Sequence, residues 1–288
     1  MICGTTIVGD DLLIVPPTGR DGARPLPFRE VPRPHGGRAR LHMPDYIERT
    51  YRRTASPDLV TFEVKVMQTD LLIAAERDLS AEAAKIVRAC RGDLEAYIAR
   101  DPGFKEALTP YPLQPDAPEI ARAMADAAAL AGVGPMAAVA GAIAERVGRG
   151  LAPYSTEVIV ENGGDIWLQG RRERTVGVFA GESPFTGKLA VRVEGSVLPG
   201  AICTSSGTVG PSLSFGKADA AIALAGTGAL ADAAATAIGN AARGADDIPA
   251  ALELAGRIPG LLGAVVIIGE RMGAWGQVEL VRAVAHRE

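Results

Sequence analysis

The sequence predicts an α+β protein with a single main domain. Helical patterns come first, strands and helices mix after Gly150, and no regular strand–helix–strand alternation of a doubly wound sheet runs through the chain. No repeat of fixed period is present. A proline- and arginine-bearing stretch precedes the periodic part, which begins near Tyr46, so the expected division is an extended arm over 1–45 and a folded domain over 46–288.

Within the arm, Pro16, Pro17, Pro25, Pro27, Pro32, Pro34 and Pro44 should prevent regular structure over residues 12–45. The first strand is expected over Leu59–Val66, which is rich in β-branched residues and alternates at its end, and Thr69–Ile73 continues it after a break. Ser80 is expected to cap a helix that carries Ile86, Val87, Cys90, Leu94, Tyr97 and Ile98 at helical spacing. Asp116 followed by Glu119 is a capping-box pattern for a helix to about Ala131, with Pro118 tolerated in its first turn. Pro135 opens another helix, with Val139, Ile143 and Val147 on one side and Glu145, Arg146 and Arg149 on the other. Its many small residues would let it lie close to a sheet or a ligand.

Beyond Gly150 strands are expected at Glu157–Glu161, Arg174–Phe179, Leu189–Val193, Ala201–Thr204 and Ala218–Leu224. A helix follows over Ala229–Ala242, and Asp246 should cap the next, which ends before Gly256. Leu262–Gly269 and Gln277–Ala283 are expected to close the chain as a strand pair.

Composition limits the function classes. With 30 basic and 34 acidic residues the net charge is −4, which leaves no electrostatic footprint for nucleic acid. Arg38, Arg40, Arg49, Arg52 and Arg53 form one local basic run, best understood as a solvated lead-in. Aromatics are 5% of the chain, so the core must be built from Ala, Val, Leu and Ile. Glycine, 34 of 288 residues, exceeds the usual share of about 7%, which implies many tight turns and close backbone approaches. Cys3, Cys90 and Cys203 share no spacing that would make a zinc site or a disulfide framework, and Cys90 is expected to be packing. No basic region precedes the apolar residues of the start, and no run of eighteen apolar residues occurs, so a cytoplasmic protein that meets no membrane is expected.

Three segments carry candidate chemistry. Glu161-Asn162-Gly163-Gly164-Asp165-Ile166 follows a strand; its glycine turn can present backbone N–H groups to a phosphate or a flavin edge. Asn-Gly is also a hairpin signal, the favoured reading of the pattern by itself. Cys203-Thr204-Ser205-Ser206-Gly207-Thr208 offers hydroxyls and backbone donors for phosphate, or is simply a polar loop. A serine triad is not expected, since His35, His42 and His286 all lie towards the chain ends. In the third segment Asp232 and Thr236 are four apart, hence on one helix face. Together they are hard oxygen ligands suited to Mg²⁺, although a dipole-complementing role would account for Asp232 alone. Lys217 and Asp219 are a smaller candidate, with a solvated turn lysine the safer reading.

Taken in order, these segments resemble the ApbE-like superfamily of FAD:protein FMN transferases. That family carries Asn-Ala-Gly-Gly-Asp-Ile, then Thr-Ser-Gly, then Ala-Asp-Ala-x-Ala-Thr-Ala, matched here by Glu161–Ile166, Thr204–Gly207 and Ala231–Ala237. The phrases at Thr69–Ile73 and Thr204–Gly210 look closest to an uncharacterised branch of it. The resemblance, over roughly residues 58–285, implies largely antiparallel sheets with helices packed against them. It implies Mg²⁺ and FAD as cofactors, and attack on the FAD pyrophosphate by a threonine hydroxyl of a target protein. By position, Asp232 and Thr236 would hold the metal and serve catalysis. Gly163, Gly164 and Asp165 would meet the flavin nucleotide, with Thr204, Ser205 and Gly207 beside it. The chain departs from the pattern at Ala140, where the family has lysine, and at Glu161, where it has asparagine. Gly210-Pro211-Ser212-Leu213 stands where the family has a histidine-bearing stretch. The alternative is a protein that binds a flavin or another phosphorylated small molecule without turning it over. A homodimer would cover the arm and the alanine-rich helices.

Overall fold

The computed structural model describes residues 12–15, 58–207 and 216–283. The arm, apart from Leu12–Val15, lies outside these residues, and so do the arginine run, all three histidines, Cys3 and residues 208–215. Within the stretch expected to lack regular structure, Leu12–Val15 form a strand (β1), immediately ahead of the first prolines.

An antiparallel hairpin opens the continuous part, β2 (Val60–Val66) paired with β3 (Thr69–Ala75). Four helical elements follow: α1 (Ser80–Arg100), the short α2 (Pro102–Glu106), α3 (Glu119–Ala131) and α4 (Val139–Leu151), the last led in by a 3₁₀ turn over Pro135–Ala138. Strands β4 (Val158–Asn162), β5 (Asp165–Gln169), β6 (Arg174–Gly177), β7 (Leu189–Val193), β8 (Gly200–Ser205) and β9 (Ala220–Ala225) come next. The chain continues with α5 (Gly228–Ala241) and α6 (Ile248–Arg257) before β10 (Leu261–Ile268), β11 (Arg271–Gly276) and β12 (Glu279–Arg282).

Nine strands make one sheet in the order β1-β11-β10-β9-β8-β5-β4-β3-β2, antiparallel throughout except where β1 lies parallel to β11. A three-stranded sheet, β12-β7-β6, packs on one face of it and the helices on the other. The central strands are therefore buried on both sides. Ala221, Ala223 and Ala225 of β9 join the helix-side core, while Ala220, Ile222 and Leu224 join the core between the sheets. Strand β10 divides the same way, with Ala264 and Val266 towards the helices and Val265 and Ile267 towards the small sheet. Burial on both faces explains the continuous apolar runs of these strands. The expected α+β class with helices on antiparallel sheets is observed.

Several local expectations need correction. The closing strand pair is β10 with β11, and β12 instead joins the small sheet beside β7. Ser80, Asp116 and Asp246 cap no helix through their side chains. Ser80 is the first residue of α1, and the Asp116 carboxylate accepts from Arg100 at 2.6 Å. Asp246 lies in a 3₁₀ turn ahead of α6, which runs past Gly256 to Arg257, and pairs with Arg271 at 2.6 Å. Each candidate stands off the N-cap position, which is taken by Leu79, Pro118 and Asp247 respectively. Among the described residues no single helix is long and apolar enough to cross a membrane.

Candidate functional site

The β4–β5 turn is a tight hairpin. Gly163 sits at φ +81°, a conformation other residues adopt at a cost, and Gly164 donates its N–H to the Asn162 carbonyl at 3.2 Å. A Cβ on Gly164 would lie 3.3 Å from the Thr204 carbonyl oxygen, so the turn is pressed against β8. The hairpin and the buried acid are thus one feature. Asp165 starts β5 two residues before Trp167, and Trp167 belongs to the helix-side core.

Asp165 is buried, and burial pushes its carboxyl up to about 7; the Cys203 thiol and the Thr204 N–H bond it and oppose the rise, while the Glu161 charge adds to it. Among the described residues its Oδ1 has no hydrogen-bond partner. A buried acceptor left unpaired is costly and calls for an explanation such as an ion, a water or a ligand. The Cys203 thiol lies between this carboxylate and the Gly228 carbonyl, 3.7 Å from the latter. Burial raises the thiol's pKa far above its usual value, with the charges of Asp165 and Asp232 reinforcing it.

Asp232 comes to the same place from the first turns of α5. Its Oδ2 accepts the Gly141 N–H of α4 at 2.9 Å. Burial raises its pKa, and repulsion from Asp165 raises it further, against the pull of the Gly141 and Ala140 N–H groups. The start of α5 is fixed by two more carboxylate and hydroxyl contacts. Glu145 Oε2 accepts the Gly228 N–H at 2.7 Å, and Thr227 caps the helix by accepting from Leu230 N at 3.4 Å. The two helices touch through glycine: a Cβ on Gly141 would meet the Gly228 oxygen at 2.1 Å, and one on Gly228 would meet the Gly141 oxygen at 2.2 Å. Asn162 closes the ring by donating its side-chain N–H to the Ala140 carbonyl at 3.1 Å.

The remaining candidates fall at graded distances from this cluster. Thr204 follows Cys203 and borders the glycine turn, and Thr236 is half-buried one helical turn beyond Asp232. Ser205 lies farther along, where a Cβ on Gly239 would come 3.5 Å from its Oγ. Gly207 sits apart: it donates to the Ala218 carbonyl at 2.9 Å and packs on Gly216. Lys217 is exposed, as a solvated turn lysine should be, and Asp219 Oδ2 accepts the Gly269 N–H at 2.7 Å. A hollow of about 220 Å³, lined by Leu113, Gln114, Pro115, Arg122 and Asp126, shares no residue with the cluster.

Sequence reasoning missed Cys203, Gly141, Glu145 and Asn162 as participants. A lone cysteine has no spacing to mark it, and Glu145 looks from its neighbours like an ordinary surface acid. The closeness of α4 to its neighbours was legible in its run of small residues.

Among the described residues no group of three His, Cys, Asp or Glu side chains is arranged to hold a metal ion by itself. A cation here would draw on Asp232, the Thr236 hydroxyl and oxygens of the ligand or backbone. That donor set suits Mg²⁺, which takes one or two carboxylates plus phosphate oxygens and waters. The unpaired Asp165 Oδ1 and the mutual repulsion of Asp165 and the half-buried Asp232 also fit a positive group beside them.

The family model described as AbpE bacteria matches residues 52–275. A protein of Methanocella arvoryzae named UPF0280 protein is 41% identical over 226 residues, spanning 77% of this chain and 91% of its own. Another of that name from Methanosphaerula palustris is 46% identical over 215 residues, 73% of this chain and 88% of its own. Among solved structures, the flavin transferase ApbE from Vibrio cholerae aligns at a TM-score of 0.44 with 12% identity, covering 79% of this chain and 97% of that one. The flavinyl transferase ApbE of Pseudomonas stutzeri aligns at 0.45 with 15% identity, covering 75% and 93%.

Proposed function

The chain belongs to the AbpE bacteria family, and from that premise we propose that it binds a flavin nucleotide together with Mg²⁺ at the Asp165–Cys203–Asp232 cluster. The observation that carries this reading is the meeting of the glycine turn, the buried Asp165 with its unpaired oxygen, and Asp232 at the start of α5.

In this reading Asp232 and Thr236 hold the cation. Bound Mg²⁺ supplies charge neutralisation and positioning of a pyrophosphate. The Gly163-Gly164 turn brings its backbone close to the nucleotide, since neither residue has a side chain to keep it away. Asp165, with its carboxyl near neutral pH, divides between a proton-donating and an accepting form, and orients a ligand hydroxyl or ring edge. Thr204 adds a hydroxyl beside the turn, whereas Ser205 lies farther along β8 and Gly207 stands apart from the cluster. The full reaction in this reading passes FMN from FAD to a threonine hydroxyl of a partner protein, or to water, with AMP leaving.

A second reading, binding without turnover, is favoured by the start of α4. Val139, Ala140 and Gly141 carry no side chain that reaches a phosphate, and the acids Glu145, Asp165 and Asp232 dominate the neighbourhood.

One experiment tests both. Protein incubated with FAD and MgCl₂ should bind flavin, seen as a change in its fluorescence, and chromatography would show FMN and AMP under the first reading alone. Asp232→Ala should abolish the Mg²⁺-dependent part. Flavin binding that is equally strong with the variant, or with Mg²⁺ chelated, would end the assignment.

A further inference from the structure

The first turns of α4 and α5 hold each other through a reciprocal exchange. Asp232 of α5 takes the Gly141 N–H in the first turn of α4, and Glu145 of α4 takes the Gly228 N–H that begins α5. Between the two bonds the helices are in backbone contact at Gly141 and Gly228, with no room for a single Cβ on either side. Each carboxylate satisfies an N–H that has no partner within its own helix, and each sits at the positive end of the other's dipole.

The two acids differ in what else surrounds them. Asp232 faces Asp165 and Cys203, inside the cluster. Glu145 faces outward from it: its Oε1 accepts the Arg149 Nε at 2.7 Å, one turn along the same helix, and Arg149 in turn lies over the Trp167 ring, 5.9 Å from its centroid. Glu145 is therefore anchored on the scaffold side by Arg149 while its second oxygen holds the first N–H of α5. The Gly228 carbonyl lies 3.7 Å from the Cys203 sulfur, whose one proton it shares with the Asp165 carboxylate. One residue, Gly228, is thus gripped at N–H by Glu145 and across its Cα by Gly141.

We propose that Glu145 is the positioning residue of the cation site: by holding Gly228 it fixes the first turn of α5 and so the direction in which Asp232, one turn later, presents its carboxylate. This rests on the reading of Asp232 as a cation ligand. Glu145 itself touches no ligand. Freed from Glu145, the start of α5 can shift on the smooth glycine contact, and Asp232 loses its fixed aim while the helix beyond remains packed.

The near-isosteric pair Glu145→Gln and Glu145→Met tests this. Glutamine keeps an oxygen for the Gly228 N–H; methionine keeps the length and helix propensity but offers no comparable acceptor. Mg²⁺ affinity by calorimetry should stay within about threefold of the unchanged protein for Gln and fall about tenfold or more for Met. Hydrogen exchange at the Gly228 amide should quicken in the Met variant alone. Coupling is reciprocal, so in the unchanged protein Mg²⁺ should slow exchange at Gly228. That last measurement stands even where the Met variant does not fold. A folded Met variant with unchanged affinity, or Gly228 exchange indifferent to Mg²⁺, overturns the role of Glu145 while leaving Asp232 as a ligand. An unchanged protein that binds no Mg²⁺ at millimolar concentration overturns both.

Discussion

The two ends of the β4–β5 hairpin, roughly 17 Å apart along five-residue strands, handle buried carboxylates in opposite ways. At the open end Glu157 sits in a Gly170 backbone cradle, accepting the Arg171 N–H at 2.8 Å and the Arg174 guanidinium at 2.8 Å. Burial alone would raise its pKa, but these donors outweigh it and the net shift is downward. Asp58 shares the same guanidinium at 3.0 Å and also pairs with Arg172 at 2.6 Å. At the turn end Asp165 and Asp232 are drawn together with no guanidinium between them, and both are shifted upward. Folding stabilises the first group of acids and is opposed by the second. Two acids brought together without a guanidinium are a costly arrangement of the kind that clusters at functional sites, which is the ground for proposing the turn end as the site.

Breaking the paired end should have the largest effect. Arg174→Ala strands the buried Glu157 without its guanidinium and should destabilise the protein by about 3–5 kcal/mol in denaturant titration, with no loss of Mg²⁺ affinity. A loss of that affinity would mean that the two ends are not independent.

The next effect has the opposite sign. The folded-state pKa of Asp165 is about 7 against an ordinary 3.8, so the folded protein holds a proton there that the unfolded chain releases between those values. Its contribution is neutral below pH 4 and increasingly unfavourable up to about pH 7. With divalent cations chelated, Asp165→Asn should therefore match the unchanged protein near pH 4 and exceed it at pH 8, by at most about 4 kcal/mol. Equal stability at both pH values would refute the uncompensated charge.

The smallest effect belongs to Asp58. The Arg174 bond is the main cause that holds its pKa at about 2 against an ordinary 3.8. Its stabilisation is present above pH 4 and lost as pH falls towards 2. Partial exposure screens the pair, so Asp58→Asn should cost no more than about 1 kcal/mol at neutral pH and only a small remainder of that at pH 2, measurable as a difference in melting temperature.

Most elements were legible in the sequence because they are written in local periodicity, while the antiparallel sheets with helices packed on them were implied by the resemblance. Strands such as Leu189–Val193 fall where alternation put them, and the helix expected over Ala229–Ala242 is α5, shifted by one residue. What escaped is physical in origin. Strand β11, Arg-Met-Gly-Ala-Trp-Gly, has two glycines and weak strand propensity, and it is held in the sheet by β1 and β10 on either side rather than by its own residues. The expected caps failed because the helices begin one or two residues away from where the local pattern placed them. In the site, the motifs named Asp165 and Asp232, but their meeting depends on three elements converging. Glu145 and Cys203 became visible only through that convergence.

Helix α5 is buried except along one stripe, Asp232, Thr236 and Asn240, which is half-exposed. Gly228, Ala229, Leu230, Ala231, Ala233, Ala234, Ala235, Ala237, Ile238 and Gly239 are all buried, against α3, α4 and α6 and against β8, β9 and β10. Where such a segment is buried and built from the smallest side chains, nearly every exchange adds volume to filled space. Side-chain exchanges should therefore be tolerated better in the loops and at the sheet edges than along the buried faces of this axle.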